Sequence, residues 1–220
     1  MGALEKLDPF YWFDRFWFRF VGEPSSIGEK IVYHAAEVFY AVIVAYAIYF
    51  LLGAILHTPK PAVIVASQSM EPTLWVGDIV LVYGASPSNI HAPTVDVNVP
   101  IYGKPLSDTP IHLIHEGYAI KGFEVNGKFI PIERNGDIIV YYNDIYHVDI
   151  VHRAVLKIIA PDGVFFLTKG DNQQTNPTID QDCEFGTCIY LYPIPADQVY
   201  GKVIFRIPRI GIIKLWLFGA

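Results

Sequence analysis

Residues 38–56 read VFYAVIVAYAIYFLLGAIL, about 19 residues without a charge, and no other feature of the chain restricts its architecture as strongly. That length matches the hydrocarbon thickness a helix must cross. A core helix of a soluble domain carries a polar stripe, and this run has none. A cleaved export signal has a shorter apolar centre and a small-residue exit at the extreme N-terminus. The run therefore predicts a retained transmembrane helix over residues 31–57, with Tyr33, Tyr49 and His57 near its ends and Lys60-Pro61 closing it. Composition agrees, since only 17% of residues are charged where soluble domains average about 25%. A length of 220 residues suits one domain plus such an anchor.

The flanks predict the orientation. Lys6, Arg15, Arg19 and Lys30 precede the run and only Lys60 follows it closely, which puts the N-terminus in the cytoplasm and everything after Leu56 outside. The stretch FYWFDRFWFRF from Phe10 to Phe20 is dense in aromatic rings and arginine. It makes residues 1–30 a cytoplasmic segment lying in the headgroup layer, or alternatively a helix packed on a partner subunit. The C-terminal stretch VIFRIPRIGIIKLWLFGA is interrupted by Arg206, Arg209 and Lys214. It reads as a strand followed by an apolar tail over 209–220, or as the start of a second span. A net charge of −6, with no cluster of Lys or Arg longer than a pair, excludes a nucleic-acid partner.

Beyond Pro61 the pattern becomes β. Short β-branched or aromatic runs at 62–65, 78–83, 137–142, 150–155, 163–168 and 201–205 are punctuated by Gly, Pro, Asn and Asp. They predict a compact, mainly antiparallel β domain over 58–84 and 136–208. Residues 85–135 are too many for a plain loop. The runs 118–121 and 128–132, joined through Val125-Asn126-Gly127, predict a hairpin in an inserted subdomain.

Four residues carry possible chemistry. Ser69 follows an apolar strand in Ser67-Gln68-Ser69-Met70-Glu71-Pro72; a serine there is a turn former unless a base stands beside it. His152 lies in the run IVHRAV, Asp171 in Lys169-Gly170-Asp171-Asn172, and Asp180 a short way beyond. Each alone has a structural explanation. His112-x-x-His115-Glu116 has metal-binding residue types but not the H-E-x-x-H order, and reads as a solvated loop. Cys183 and Cys188 are too widely spaced for a C-x-x-C site and lack a second pair. Outside the cytoplasm they form either a disulfide or two free thiols.

Taken together the segments resemble the type I signal peptidase family. S-x-S-M-x-P-T-L from Ser67, Gly77-Asp78-Ile79-Val80, Gly136-Asp137-Ile138-Ile139-Val140, Lys169-Gly170-Asp171-Asn172 and Gln198-Val199-Tyr200-Gly201-Lys202 occur in the family's order. The bacterial branch has a Lys-Arg pair in its central strand. Here that pair is His152-Arg153, similar to the archaeal and endoplasmic-reticulum branch. The change matters chemically, because imidazole can accept a serine proton at neutral pH, whereas lysine must first be desolvated.

The resemblance implies a signal-peptidase-like antiparallel β domain with an inserted subdomain and an N-terminal membrane helix. It implies Ser69 as nucleophile, His152 as base and a carboxylate to orient His152. Asp180 is the expected orienting group, with Asp171 holding its turn and Asp182 third. The alignment is shifted by the insertion Gln173-Gln174-Thr175. The Ser67 hydroxyl and the Ser69 amide are the implied oxyanion donors, although Ser67 also suits a turn. No metal or cofactor is implied. The implied activity is cleavage of signal peptides from exported preproteins at the outer membrane face, after small residues, with substrate bound as an extended strand. Lipid and the protein translocation machinery are the implied partners, and the cell membrane the location. Two alternatives accompany this reading: a catalytically silent β scaffold of a secretion complex, which predicts Ser69 and His152 out of reach of each other, and a precursor-processing protease of narrower range.

Overall fold

The computed structural model describes residues 8–185 and 188–218. Lys6, Gly186 and Thr187 of the cysteine loop, and the last two residues of the tail lie outside the described residues. The chain divides into two units, Met1–Ile55 and Leu56–Ala220.

The first unit holds two helices. Helix α1 (Pro9–Phe20) starts where Asp8 caps it, its carboxylate accepting from the Phe10 amide at 2.9 Å, with Pro9 in the first turn. Helix α2 (Ile27–Leu56) is 30 residues long and so spans about 45 Å. It begins four residues before the expected start, because Ser26 and Glu29 form a reciprocal cap. The Glu29 amide donates to Ser26 Oγ at 3.2 Å, and Glu29 Oε2 accepts from the Ser25 and Ser26 amides at 2.7 and 3.2 Å. No described α2 residue is buried, and the helix is long and apolar enough to cross a bilayer. The aromatic stretch expected in the headgroup layer folds as α1 and packs on α2 within the same chain. Phe13 is buried with its ring centroid 5.1 Å from that of Tyr40, and Tyr33 Oη donates to Asp14 at 2.5 Å.

The second unit is β throughout its core. Strands β1 (Ala62–Ile64), β2 (Ile79–Tyr83), β3 (Thr94–Asp96), β4 (Ile111–Glu116), β5 (Ala119–Val125), β6 (Lys128–Pro131), β7 (Ile138–Asn143), β8 (Val148–Ala160), β9 (Gly163–Lys169), β10 (Ile194–Pro195) and β11 (Val199–Ile207) form two sheets. The larger has the order β1-β2-β11-β7-β8-β9-β10, all antiparallel, with β3 joining β8 in parallel. All six expected runs fall in its strands. Strand β8 is longer than expected, reaching Ala160, and a register shift between Ala154 and Leu156 bends it against β9.

The inserted region contributes to both sheets. Its β3 belongs to the large one, while β4-β5-β6 make a separate three-stranded sheet. The expected hairpin is β5–β6, turned at Asn126 and Gly127, which both have positive φ (52° and 74°). Such a turn matches the twist of the paired strands. Ile111, Ile120, Phe123 and Val125 of the small sheet share a buried cluster with Val155, Ile158, Phe165 and Leu167 of the large one. The insertion therefore packs on the larger sheet. His112, His115 and Glu116 correct the expected solvated loop: they lie in β4, paired residue by residue with β5. Their polar character hides a strand whose apolar positions are Ile111, Leu113 and Ile114. After β11 the apolar tail turns into a short helix, α3 (Ile212–Phe218).

Candidate active site

Three segments bring the site together. After β1 the chain makes one turn of 3-10 helix at Gln68–Met70, which carries Ser69. Met70 anchors that turn, being buried with Val65, Leu74, Val80, Val82 and Val140. Ser69 is left half-buried and reachable. Strand β8 supplies His152 and Arg153, and successive strand residues point to opposite faces. They accordingly take different acidic partners from the segment after β9.

His152 Nε2 lies 2.9 Å from Ser69 Oγ, and His152 Nδ1 lies 2.6 Å from Asp180 Oδ2. The silent-scaffold alternative requires the first of these pairs to be out of reach. His152 and Asp180 are 3% and 1% exposed, so their interaction is sheltered from water. Two more hydroxyls donate to Asp180 Oδ2: Thr168 Oγ1 at 2.6 Å and Tyr141 Oη at 3.1 Å. Burial, and then the neighbouring Asp180 charge, push the Tyr141 phenol well above its ordinary value, keeping it a donor. Oδ1 of Asp180 is buried with no partner among the described residues.

Asp171 sits elsewhere. Its two oxygens accept from Arg153 Nε and a terminal Arg153 nitrogen at 2.8 and 2.6 Å, and Thr73 Oγ1 donates to it at 2.6 Å. Arg153 also donates to the Gly136 carbonyl at 2.6 Å, and Arg134 to the Asp171 carbonyl at 2.8 Å. Asp171 thus ties β8, the segment after Ser69 and its own turn together. The next residue completes the link: the Asn172 amide donates to the Ser69 carbonyl at 2.9 Å and Asn172 Nδ2 to the Gln68 carbonyl at 3.0 Å. A Cβ on Gly170 would come within 2.6 Å of that Ser69 carbonyl, so this close approach needs glycine.

Burial would raise the Asp171 pKa, but hydrogen bonds from Arg153 and Thr73 and the charges of Arg153 and Arg134 outweigh it, holding the carboxyl below its ordinary value. A folded-state pKa below the unfolded one contributes stability that is present above the unfolded value and lost as pH falls through the folded one. Thermal midpoints should therefore drop as the pH is taken below about 4, and this drop should be smaller in Asp171→Asn. An unchanged acid limb in that variant would contradict the assignment. Asp171→Asn also leaves the largely buried Arg153 guanidinium without its counter-charge. A loss of about 3–5 kcal/mol is expected in denaturant unfolding, with the double change Asp171→Leu/Arg153→Leu costing less than either single change.

The other candidates take structural partners. Ser67 Oγ lies 3.1 Å from Ser69 Oγ, at the edge of the same opening. Asp182 pairs with His115 and Thr178, not with His152. Lys169 Nζ donates to the carbonyls of Gly170 and Asn176 at 2.9 and 2.5 Å, bridging the acidic turn. Burial, opposed by the Asp171 and Asp180 charges, brings its pKa down to about 8. Cys183 and Cys188 form a disulfide. No group of three or more metal-ligating side chains occurs among the described residues.

Sequence reasoning missed Tyr141 and Thr168. Thr168 left a faint signal, a hydroxyl in the otherwise apolar run GVFFLT; Tyr141 left none, being one aromatic among many in β7. Arg153 was in view as half of a motif, without its partner.

Chemically, the arrangement offers a hydroxyl beside an imidazole whose far nitrogen is held by a buried carboxylate. Such a unit can transfer a proton from the hydroxyl and stabilise the imidazolium that results.

No family model matches the chain. It is similar to the signal peptidase complex catalytic subunit sec11 of Schizosaccharomyces pombe, with 29% identity over 175 residues, covering 79% of this chain and 75% of that protein. It is also similar to the signal peptidase complex catalytic subunit SEC11 of Schizophyllum commune, with 31% identity over 163 residues, covering 73% of this chain and 66% of that protein. Both alignments are long enough to include most of the β unit, and both relatives are catalytic subunits. With those relatives, and a mainly antiparallel β domain preceded by a helix long and apolar enough to cross a bilayer, the chain belongs to the type I signal peptidase family, on the side of its endoplasmic-reticulum catalytic subunits.

Proposed function

We propose that this chain is a membrane-anchored serine endopeptidase that removes N-terminal signal peptides from exported preproteins, cutting after small residues. The observation that carries the serine mechanism is the hydrogen-bond chain from Ser69 through His152 to Asp180. Ser69 Oγ attacks the scissile carbonyl while His152 Nε2 takes its proton. Asp180 keeps the Nδ1 proton in place and stabilises the imidazolium. His152 then gives its proton to the leaving amine, and water releases the acyl group from Ser69 by the same steps. The Ser69 amide and Ser67 hydroxyl serve the developing oxyanion, an interaction worth about 3 kcal/mol per donor.

Strand β1 ends the large sheet and runs directly toward Ser67 and Ser69. An extended substrate added along it would lead its scissile bond to the serine. Helix α2 is the anchor, with the N-terminus cytoplasmic and the β unit outside. The relatives' names, each a subunit of a signal peptidase complex, support further subunits as partners.

Purified chain in detergent, incubated with a generic preprotein, should release the mature protein. Mass spectrometry of the new N-terminus should place the cut after a small residue and show it displaced when that residue becomes large. Intact preprotein after incubation, or cuts without regard to the preceding side chain, would overturn the proposal.

A further inference from the structure

The segment carrying Asp180 is held by two elements. On one side the Asp180 amide donates to the Thr168 carbonyl of β9 at 2.9 Å. The other hold comes from the inserted sheet, at points before and after Asp180. Before it, the Ile120 amide of β5 donates to the Pro177 carbonyl at 3.1 Å, and Ile179 is buried in the same cluster as Ile120 and Phe123. After it, His115 Nε2 of β4 donates to Asp182 Oδ2 at 2.7 Å. Thr178 Oγ1 donates to that same oxygen, and Asp182 Oδ1 accepts from the Glu184 and Phe185 amides at 3.2 and 3.1 Å. Asp182 is 2% exposed, and the His115 ring lies against Phe185 with centroids 4.8 Å apart. Asp182 thus closes the segment Thr178–Asp182 on itself, and His115 is the side chain that fastens this closed segment to the insertion.

We propose that His115 is a positioning residue for Asp180, acting through Asp182, so that the inserted sheet helps set the alignment of the catalytic carboxylate. The proposal rests on the reading of Asp180 as the group behind His152. Without the His115 donor, Asp182 loses its link to β4 and the two-residue connection to Asp180 loosens. A carboxylate displaced by a fraction of an ångström orients the imidazole less well, and displacements of about 1 Å cost on the order of 100-fold in rate.

The test uses the full chain in detergent with a preprotein substrate, under single-turnover as well as steady-state conditions. His115→Leu keeps bulk against Phe185 but has no donor; His115→Gln keeps a donor. The leucine variant is expected to lose about ten-fold in kcat with KM little changed, and the glutamine variant to recover most of that loss. In an Asp180→Asn background the leucine change should add nothing further, as expected of residues acting as one unit. Thr178→Val, which removes the second donor to the same oxygen, should follow the same pattern and replaces His115→Leu if that chain does not fold. A folded leucine variant with wild-type kcat would overturn the role of His115, as would a loss that multiplies undiminished in the Asp180→Asn background. An Asp180→Asn enzyme as fast as wild type would instead overturn the reading of the site itself.

Discussion

Ser69→Ala is expected to lower kcat for preprotein cleavage by about five to six orders of magnitude while leaving KM and the thermal midpoint close to wild type. The structural cost is small because the Ser69 side chain is half-exposed and, among the described residues, its hydroxyl bonds to Ser67 and His152 alone, whereas the backbone of its turn is held by Met70 and Asn172. The chemical cost is large because the hydroxyl is the proposed attacking atom and, among the described residues, the one hydroxyl held at 2.9 Å from the His152 Nε2 nitrogen. His152→Ala should produce a loss of similar size. The double variant should be no slower than the single ones, since the two residues act as one unit. Single-turnover cleavage with enzyme in excess, alongside thermal unfolding of each variant, measures both quantities. Turnover by folded Ser69→Ala within a factor of ten of wild type would remove Ser69 from the mechanism.

The second large effect belongs to Asp180. Its Oδ2 accepts from His152, Thr168 and Tyr141 together. An asparagine there can turn an NH2 group toward His152 Nδ1, which then becomes an acceptor. The imidazole proton moves to Nε2, and the nitrogen facing Ser69 can no longer accept. Asp180→Asn is expected to lower kcat about 10⁴-fold while keeping the shape of the site. Asp171→Asn works on the other side of β8 and is expected to appear in stability rather than in the chemical step. The pair separates two carboxylates that lie nine positions apart in the chain and hold different side chains, His152 and Arg153. If Asp171→Asn, assayed well below its unfolding transition, lost as much kcat as Asp180→Asn, the division of roles would be wrong.

Much of this was legible before any coordinates. The strands were readable because their runs of Val, Ile, Tyr and Phe stop at Gly, Asp and Pro, and a sheet buried on one or both faces demands such runs. The β5–β6 turn was readable because Asn-Gly tolerates two positive φ values. Strand β4 was not, since His112, His115 and Glu116 break its apolar pattern and a register shift between Ile114 and His115 breaks its period. Ser69 and His152 were readable through motifs that sit on fixed elements, a turn after β1 and the middle of β8. The choice between Asp171 and Asp180 was less so. Three extra residues between them move the spacing, and only the opposite facing of His152 and Arg153 decides which acid meets which base. Tyr141 and Thr168 are beyond the reach of a one-dimensional reading, because their hydroxyls matter only where three strands converge.

The order of strands in the large sheet has a consequence for biosynthesis. Strand β11, almost the last part of the β unit to leave the ribosome, lies between β2 and β7. It joins the half of the sheet that follows the serine to the half that carries the imidazole. Until Val199–Ile207 has been made and inserted, the two halves have no shared strand to hold Ser69 opposite His152. A chain that has not yet reached β11 therefore lacks the strand that brings the proposed centre together. The strand order thus ties the assembly of the Ser69–His152 pair to the completion of the sheet rather than to the synthesis of either residue.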